Sequence, residues 1–565
     1  MRLGRRGRPG QRQRGRVAVV AAVITAFLLV TACQGSQGEV VRPGPPAAAP
    51  RAVVREAQKV TRSLPAPVAT CTNAPPGWSS SESRQPGVAD LPMQQVPGLG
   101  DVVGYLDSVT AVCGQTLSVH LSSTVGTTAV RLRALRVGDY QGHGSRLVWQ
   151  SPELTARRQH EAEPTGPDRV ITERWPLTTT IPVDASWPPG MYLIEIVPAG
   201  GGQPSFMPLA VRTSGERSPY LVVLSNLTWL AYNKYGGRSL YFGPGGNHTE
   251  EVANRSYVAS TARPLGDSGL PKMFTMDVPL VRFLSRNGIA YDVTTDSSMD
   301  ATPAQLAGQS TVLFGGHSEY WTRRMYDAAV QARDAGTNLA FLGANEIYWQ
   351  GRIERDAQGR QTALTVYREA RLDRLARADP STTTVQWRGT LLRRDPAALV
   401  GVGFSVVGIR AAYVVNTAPD WLFAGTNLRK GSILPLAIGN EADAQEPPVA
   451  GHSPANLQVV LHGAAIVAGR DKPSLITAAY YDAPGGAGVF AAGTTYWTCN
   501  LDSTCPEGPT PPATSLAVQR ITLNLVRAFA VPRAGRLNPS VPTPYLSAAQ
   551  LARRLPVGGG GAGGD

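Results

Sequence analysis

Residues 310–345 read STVLFGGHSEYWTRRMYDAAVQARDAGTNLAFLGAN. A short apolar run ends on Gly315 and Gly316. Residues 323–335 then place apolar side chains at helical spacing and stop at Gly336, and a second apolar run, NLAFL, follows. Strand, helix, glycine stop and strand make a βαβ unit, and a chain of such units folds around a parallel sheet. Reactive side chains in these sheets gather at the carboxyl ends of the strands. The first run ends by placing His317, Ser318, Glu319, Tyr320 and Trp321 in one turn. That turn is a nucleophile elbow, a metal site or a decorated loop.

The alternation continues on both sides. YLVVLS (220–225) and IAYDVTT (289–295) are strands, with a helical period in VPLVRFLSRNG (278–288) between them. Three strand ends therefore open on one sheet edge. They lead into NLTWLAYNKYGGRSLY (226–241), HSEYW (317–321) and NEIYW (345–349). Beyond Gln361 strand-like pieces return, among them LQVVLHG (457–463), SLITAAYY (474–481) and GVFAAGTTYW (488–497). SLAVQRITLNLVRAFA (515–530) is a closing helix. These elements predict an α/β domain with a mostly parallel sheet over 219–536, followed by a largely disordered tail, 537–565.

Residues 98–213 are patterned differently. AVRLRALRV (129–137), SRLVWQS (145–151), MYLIEIV (191–197) and SFMPLAV (205–211) each read as a half-buried strand, and turn residues such as WPPG (187–190) separate them. Short strands at this spacing predict an antiparallel β-sandwich.

The 565-residue chain has a formal charge of +13. Seven of its arginines lie in residues 1–32 with no acid among them, so the remainder carries only +6. That mild charge argues against nucleic acid as a partner. The arginines form a basic n-region, and VAVVAAVITAFLLV (17–30) is apolar at signal-peptide length, too short for a membrane span. The segment ends in VTAC, and Ala32–Cys33 is similar to a bacterial lipobox. Residues 1–32 are expected to be a lipoprotein signal and Cys33 the lipidated first residue. The protein would then be exported and anchored on the outer face of the cytoplasmic membrane or cell envelope. Residues 33–97, rich in Pro, Ala, Gly and Ser, are expected to form a spacer. Cys71, Cys113, Cys499 and Cys505 form an even set, as disulfides require. CNLDSTC (499–505) closes a small loop, which leaves Cys71 to pair with Cys113.

A serine nucleophile at Ser318 fits the turn poorly. The elbow needs glycine two residues on either side; Gly316 satisfies one position and Tyr320 occupies the other. A hard metal ion is the alternative, because carboxylates and phenolates suit it. Glu319 would supply the carboxylate, with Tyr232 and Tyr235 from the adjacent strand end. On the residues alone, an ordinary buried hydrogen-bond network of Glu319 and the tyrosines is favoured over the metal.

Five motifs in order, WLAYNKYGGRSLY, GHSEYW, LAFLGANEIYWQGR, IGNEAD and GVFAAGTTYW, resemble the C-terminal domain of the N,N-dimethylformamidase large (beta) subunit family. WPPGMYLIEI is similar to its upstream domain, and the resemblance spans roughly residues 98–531. It implies a class I glutamine-amidotransferase-like (flavodoxin-like) fold without the amidotransferase cysteine. It also implies a mononuclear Fe(III) held by two tyrosinates and a glutamate. By motif, Glu319 matches the glutamate and Tyr232 one tyrosine. His317 and Asn345 match residues beside the iron, and Glu441 matches a glutamate that activates water. The second tyrosine would fall in MDVPLVRFL (276–284), where Val278 stands instead. Tyr235, Tyr241 or Tyr257 would have to replace it; otherwise the site holds another metal or none. The activity implied is metal-assisted hydrolysis of a small amide, with Glu441 taking the water's proton and His317 and Asn345 donating to the oxyanion. A homo-oligomer or a small partner subunit is also implied. The competing expectation is a non-catalytic envelope protein that holds a carbohydrate or polymer in an aromatic cleft of Trp229, Trp321 and Trp349.

Overall fold

The computed structural model describes residues 69–545, except 76, 89–98, 216, 267, 271–272, 448–451, 468–472 and 503–508, together with residues 550 and 558–559. The expected signal, Cys33 and Cys505 lie outside the described residues. Among those described, no helix is long and apolar enough to cross a membrane.

Nine strands come first: β1 (Val102–Leu106), β2 (Thr110–Val112), β3 (Thr116–Ser123), β4 (Thr128–Tyr140), β5 (His143–Gln150), β6 (Leu154–Ala156), β7 (Thr179–Pro182), β8 (Gly190–Pro198) and β9 (Ser205–Arg212). They make a three-stranded sheet, β1-β3-β7, and a six-stranded sheet, β2-β9-β8-β4-β5 with β6 on β4. The expectation of half-buried strands fails for the larger sheet. Tyr192, Ile194 and Ile196 of β8 face the core between the two sheets, while Met191 and Leu193 join a different core. That second core includes Phe283 and Leu284 of a helix packed across the sheet, so both faces are dry and β8 is apolar apart from Glu195.

The spacer expectation also fails in part. Helix α1 (Trp78–Glu82) is packed against the sandwich. Trp78 is buried beneath the Arg136 guanidinium, and Glu82 accepts from Arg146 Nε at 2.7 Å and from the Tyr140 hydroxyl. The Cys71–Cys113 disulfide fastens the segment, with Cα atoms 5.6 Å apart. Cys499 is likewise disulfide-bonded. A Pro/Ser-rich stretch can dock when it carries one tryptophan and one carboxylate with buried partners.

Of the later strands, β11 (Val258–Ser260), β17 (Arg352–Arg355) and β18 (Gln361–Thr365) form one small sheet and β14 (Tyr320–Trp321) and β16 (Trp349–Gln350) another. The principal sheet contains β10 (Tyr220–Leu224), β12 (Asp292–Thr295), β13 (Thr311–Phe314), β15 (Asn338–Phe341), β19 (Gly403–Val415), β20 (Ile433–Ala444), β21 (Gln458–Ile466), β22 (Ser474–Asp482) and β23 (Gly488–Ala491). Their order is β12-β10-β13-β15-β23-β22-β21-β19-β20. The first four pairings are parallel and the last four antiparallel, so the sheet is mixed rather than mostly parallel. Parallel pairs need a long crossover. Helices α3 (Phe274–Arg286) and α5 (Arg323–Ala335), with the short α4 (Asp296–Ala301) between them in the chain, provide two of these, whereas β22 returns to β23 through five residues. Ranked by chain order, the five parallel strands run 2-1-3-4-5, a doubly wound order with its switch point between β10 and β13. Alternate residues of these strands feed opposite cores: Val222 and Leu313 on one face, Val223 and Phe314 on the other. The closing helix, α6, is Pro512–Ala528.

The tail expectation needs correction as well. Val541 N donates to Gln458 Oε1 and Thr543 N to the Leu457 carbonyl, while Gly558–Gly559 pairs with β21. Free donors and acceptors beside β21 hold this part of the tail in place.

Candidate functional site

Three turns leave the carboxyl ends of β10, β13 and β15. Helix α2 (Asn226–Ala231) follows β10 directly, and Tyr232 is its C-cap. The chain then loops back, with Ser239 Oγ accepting from the Tyr241 and Phe242 amides, and this fixes Tyr241 beside Tyr232. Their rings stack at 4.2 Å between centroids. After β13, the two glycines let backbone segments approach closely. A Cβ on Gly316 would lie 2.2 Å from Met276 Cβ, and one on Gly343 would lie 2.1 Å from the Gly316 carbonyl oxygen. The turn after β15 wraps around the elbow: Ile347 N donates to Ser318 O, and Tyr348 N and Trp349 N donate to Glu319 O. This wrapping forces Asn345 (φ 54°) and Ile347 (φ 59°) into the left-handed region, a strained conformation for a β-branched residue. Glu441 arrives from the far edge of the sheet. Strand β20 bends over the end of β23 through an Ala442–Thr494 bridge and a Thr495 N to Glu441 O bond.

The side chains converge. Glu319 Oε2 accepts from Tyr232 at 3.1 Å and from Tyr241 at 2.6 Å, and Glu319 Oε1 also accepts from Tyr241. His317 Nδ1 contacts the Ala344 carbonyl at 3.0 Å, which turns Nε2 inward, 3.4 Å from Glu319 Oε2 and 3.7 Å from Glu441 Oε1. Asn345 Nδ2 donates to Glu441 Oε2 at 2.7 Å, and its backbone amide donates to Asp443 at 2.8 Å. His317 Nε2 and Asn345 Oδ1 are buried without a hydrogen-bond partner. Tyr232, Tyr241, Glu319, Asn345 and Glu441 line a cleft of about 910 Å³, with Tyr348, Trp349 and Arg368 on its wall.

Burial opposes the charge of His317, but Glu441, Glu319 and the Ala344 carbonyl outweigh it and push the imidazole up to about 10. It is therefore an imidazolium at neutral pH. Burial likewise opposes ionisation of Glu319, yet His317, the Tyr241 hydroxyl and Arg368 hold its carboxyl below the ordinary range. Burial first, and the Glu319 charge second, push both Tyr232 and Tyr241 well above the ordinary phenol value. Asp443 rises to about 7 because it is buried.

The structure brings together all five of the expected site residues: Tyr232, His317, Glu319, Asn345 and Glu441. Val278 is not among them; it lies on α3 and is fully buried in the core. Of the three candidate substitutes, Tyr235 packs against Trp175 and Tyr257 against Tyr367, whereas Tyr241 points at Glu319. Ser318 is fully buried: its Oγ donates to Asp296 and accepts from Trp321 Nε1, and its amide donates to Glu346. Trp229 and Trp321 are buried in the core, so of the three tryptophans expected in the cleft only Trp349 lines it. Arg368 was not evident from the sequence. Its guanidinium lies 3.9 Å over the Tyr241 ring and 5.0 Å from Trp349, and it donates to the Tyr320 hydroxyl. Its φ is positive (65°), as it is at Arg169, Arg393 and Arg533, and no sequence pattern announces its place in the site.

Among the described residues no group of three or more His, Cys, Asp or Glu side chains is arranged to hold a metal. A metal centre here would rest on two phenol oxygens and one carboxylate, a donor set that suits a hard, highly charged ion. A family model described as N,N-dimethylformamidase beta subunit-like, C-terminal, matches residues 131–509, more than half of the chain. No curated protein matches it.

Proposed function

This chain belongs to the N,N-dimethylformamidase beta subunit-like family, and from that premise we propose that it is a hydrolase of amide-type C–N bonds. The observation that carries the proposal is the convergence of Tyr232, Tyr241 and Glu319 with His317, Asn345 and Glu441 at the sheet's switch point.

The donor set fits a ferric ion held by Tyr232, Tyr241 and Glu319. Burial and the neighbouring Glu319 charge keep both phenols protonated, and a bound cation would oppose both effects. When bound, the ion supplies Lewis acidity toward a carbonyl or a water. Glu441 accepts a proton from the attacking water and is aimed by the Asn345 amide at 2.7 Å. His317, with Nδ1 on the Ala344 carbonyl and Nε2 turned inward between Glu319 and Glu441, donates from Nε2 to the oxygen that becomes negative. Arg368 lies against the outer face of Tyr241, where its charge favours the phenolate. The cleft admits a substrate with one small polar end and an aromatic or aliphatic remainder along Tyr348, Trp349 and Phe404.

Iron analysis and the visible spectrum of the purified protein test the centre. If neither iron nor a tyrosinate charge-transfer band is found, even after reconstitution, the ferric assignment is wrong. Loaded protein that hydrolyses no member of a panel of formamides and acetamides refutes the hydrolase. The proposal includes export with Cys33 lipidated; palmitate labelling that survives Cys33→Ala removes that part.

A further inference from the structure

A second cavity, of about 240 Å³, lies between the six-stranded sheet and the α/β layer. It shares no lining residue with the cleft. Its charged lining is unbalanced: Arg212, Arg263, Arg355 and Arg360 face it against Asp107 alone. Two of these arginines are already neutralised, Arg355 by Asp300 at 2.5 Å and Arg360 by Asp356 at 2.8 Å and Asp107 at 3.7 Å. The other two are not. Among the described residues Arg212 makes no ion pair, and the charges acting on it are Arg217, which lowers its pKa, and Asp292.

Arg263 is the more telling of the two. It is 2% exposed, and its guanidinium meets only neutral carbonyls: Tyr235 O at 2.9 Å, Arg238 O at 3.2 Å and Asn233 O at 3.3 Å. Its Nε is buried with no partner. Burial pulls its pKa down to about 10, against only the distant help of Glu173. A buried cation without a counter-charge is costly, and an anion in the cavity would offset that cost. The uncharged wall is mixed: Leu106, Phe206, Met207, Trp229 and Leu265 give it an apolar part, beside polar residues such as Gln115 and Thr261.

We propose that this cavity is a binding site for a small amphipathic anion, with an acid head on Arg212 and Arg263 and a short aliphatic chain along the apolar wall. The site is independent of the hydrolase reading and needs no metal.

Calorimetric titration of the whole purified, metal-free protein with octanoate, octyl phosphate, octanol and octylamine tests it. At least one of the anions binds saturably, one per chain, and at least tenfold more tightly than octanol or octylamine. Arg263→Gln loses binding but also frees three carbonyls, so two milder variants decide the matter. Arg212→Gln weakens the anion about tenfold or more, the loss expected for one charge-assisted hydrogen bond. Ala301→Trp, at an exposed position on the rim, blocks the cavity and abolishes binding. The proposal is overturned if neither anion binds, if the neutral and cationic probes bind as tightly, or if both milder variants leave the affinity unchanged. The last outcome would place the anion elsewhere, including the cleft.

Discussion

Tyr241→Phe is the sharpest perturbation of the candidate centre, because it removes one oxygen and little else. The ring stays, and with it the 4.2 Å stack on Tyr232 and the 3.9 Å contact with Arg368. What is lost is the hydroxyl that donates to both oxygens of Glu319. Glu319 keeps Tyr232 at 3.1 Å and His317 at 3.4 Å, so it is not stranded. The metal-free protein should therefore lose about 1–3 kcal/mol, the cost of one buried hydrogen bond to a charged group, and remain folded. The metal should suffer far more, since one of three anionic ligands is gone. Iron content should collapse, or the charge-transfer absorbance per iron should fall by roughly half if the tyrosinates contribute equally. Tyr232→Phe should behave in the same way, while Tyr235→Phe and Tyr257→Phe should be silent because those rings pack elsewhere. Denaturation midpoints, iron per chain and the visible spectrum of the four variants decide it. An unchanged band in Tyr241→Phe, together with a lost band in Tyr235→Phe or Tyr257→Phe, would refute the assignment.

Glu441→Gln should keep its iron, because Glu441 is not assigned as a ligand, and lose roughly 10²- to 10⁴-fold in kcat on whichever amide is turned over; an unchanged kcat removes it as the base. Gly343→Ala should destabilise the fold and disturb the elbow together, since the new methyl would meet the Gly316 carbonyl at 2.1 Å, a backbone atom that cannot rotate away. A wild-type melting temperature in that variant would contradict the close approach. Asp277 is pushed up to about 7 by burial, with Trp229 Nε1 and Ser225 Oγ as its partners. A raised carboxyl binds its proton more tightly when folded, so its stabilising effect is complete below the unfolded pKa and is lost as pH rises through about 7. Asp277→Asn should therefore gain about 2 kcal/mol on the parent between pH 5 and pH 8; urea midpoints that differ equally at both pH values would contradict this.

The convergence of His317, Glu319 and Asn345 was legible because parallel strands force it. Once STVLF and NLAFL are neighbouring strands, their following turns share an edge. Glu441 was legible only through family resemblance: it lies on β20, at the far end of the sheet order, and reaches the site by a bridge to Thr494 that no local pattern encodes. Tyr241 was one of three candidates, since no period relates a loop residue to a site. A serine two positions earlier turns it inward. The sandwich strands misled for another reason. Alternation reports whether a face is wet, and α3 dries the outer face of β8 from more than 70 residues downstream.

The elbow itself shows how one geometry serves two chemistries. Its glycines and its abrupt strand-to-turn bend are what a nucleophilic serine would need, yet Ser318 is held by Trp321, Asp296 and Glu346 with its hydroxyl fully engaged. The bend instead aims the next residue. Glu319 is gripped along its backbone, its amide donating to Thr228 and its carbonyl accepting from Tyr348 and Trp349. These bonds come from turns on both neighbouring strands, and they are made at the expense of strain at Asn345 and Ile347. A hydroxyl nucleophile needs freedom to attack and a base at hydrogen-bond range. Ser318 lacks the freedom, and its one acceptor, Asp296, is itself buried and pushed well up by that burial. A carboxylate held rigidly between two phenols has the opposite requirement, which is that nothing about it should move. The fold has used its strained backbone to satisfy that requirement.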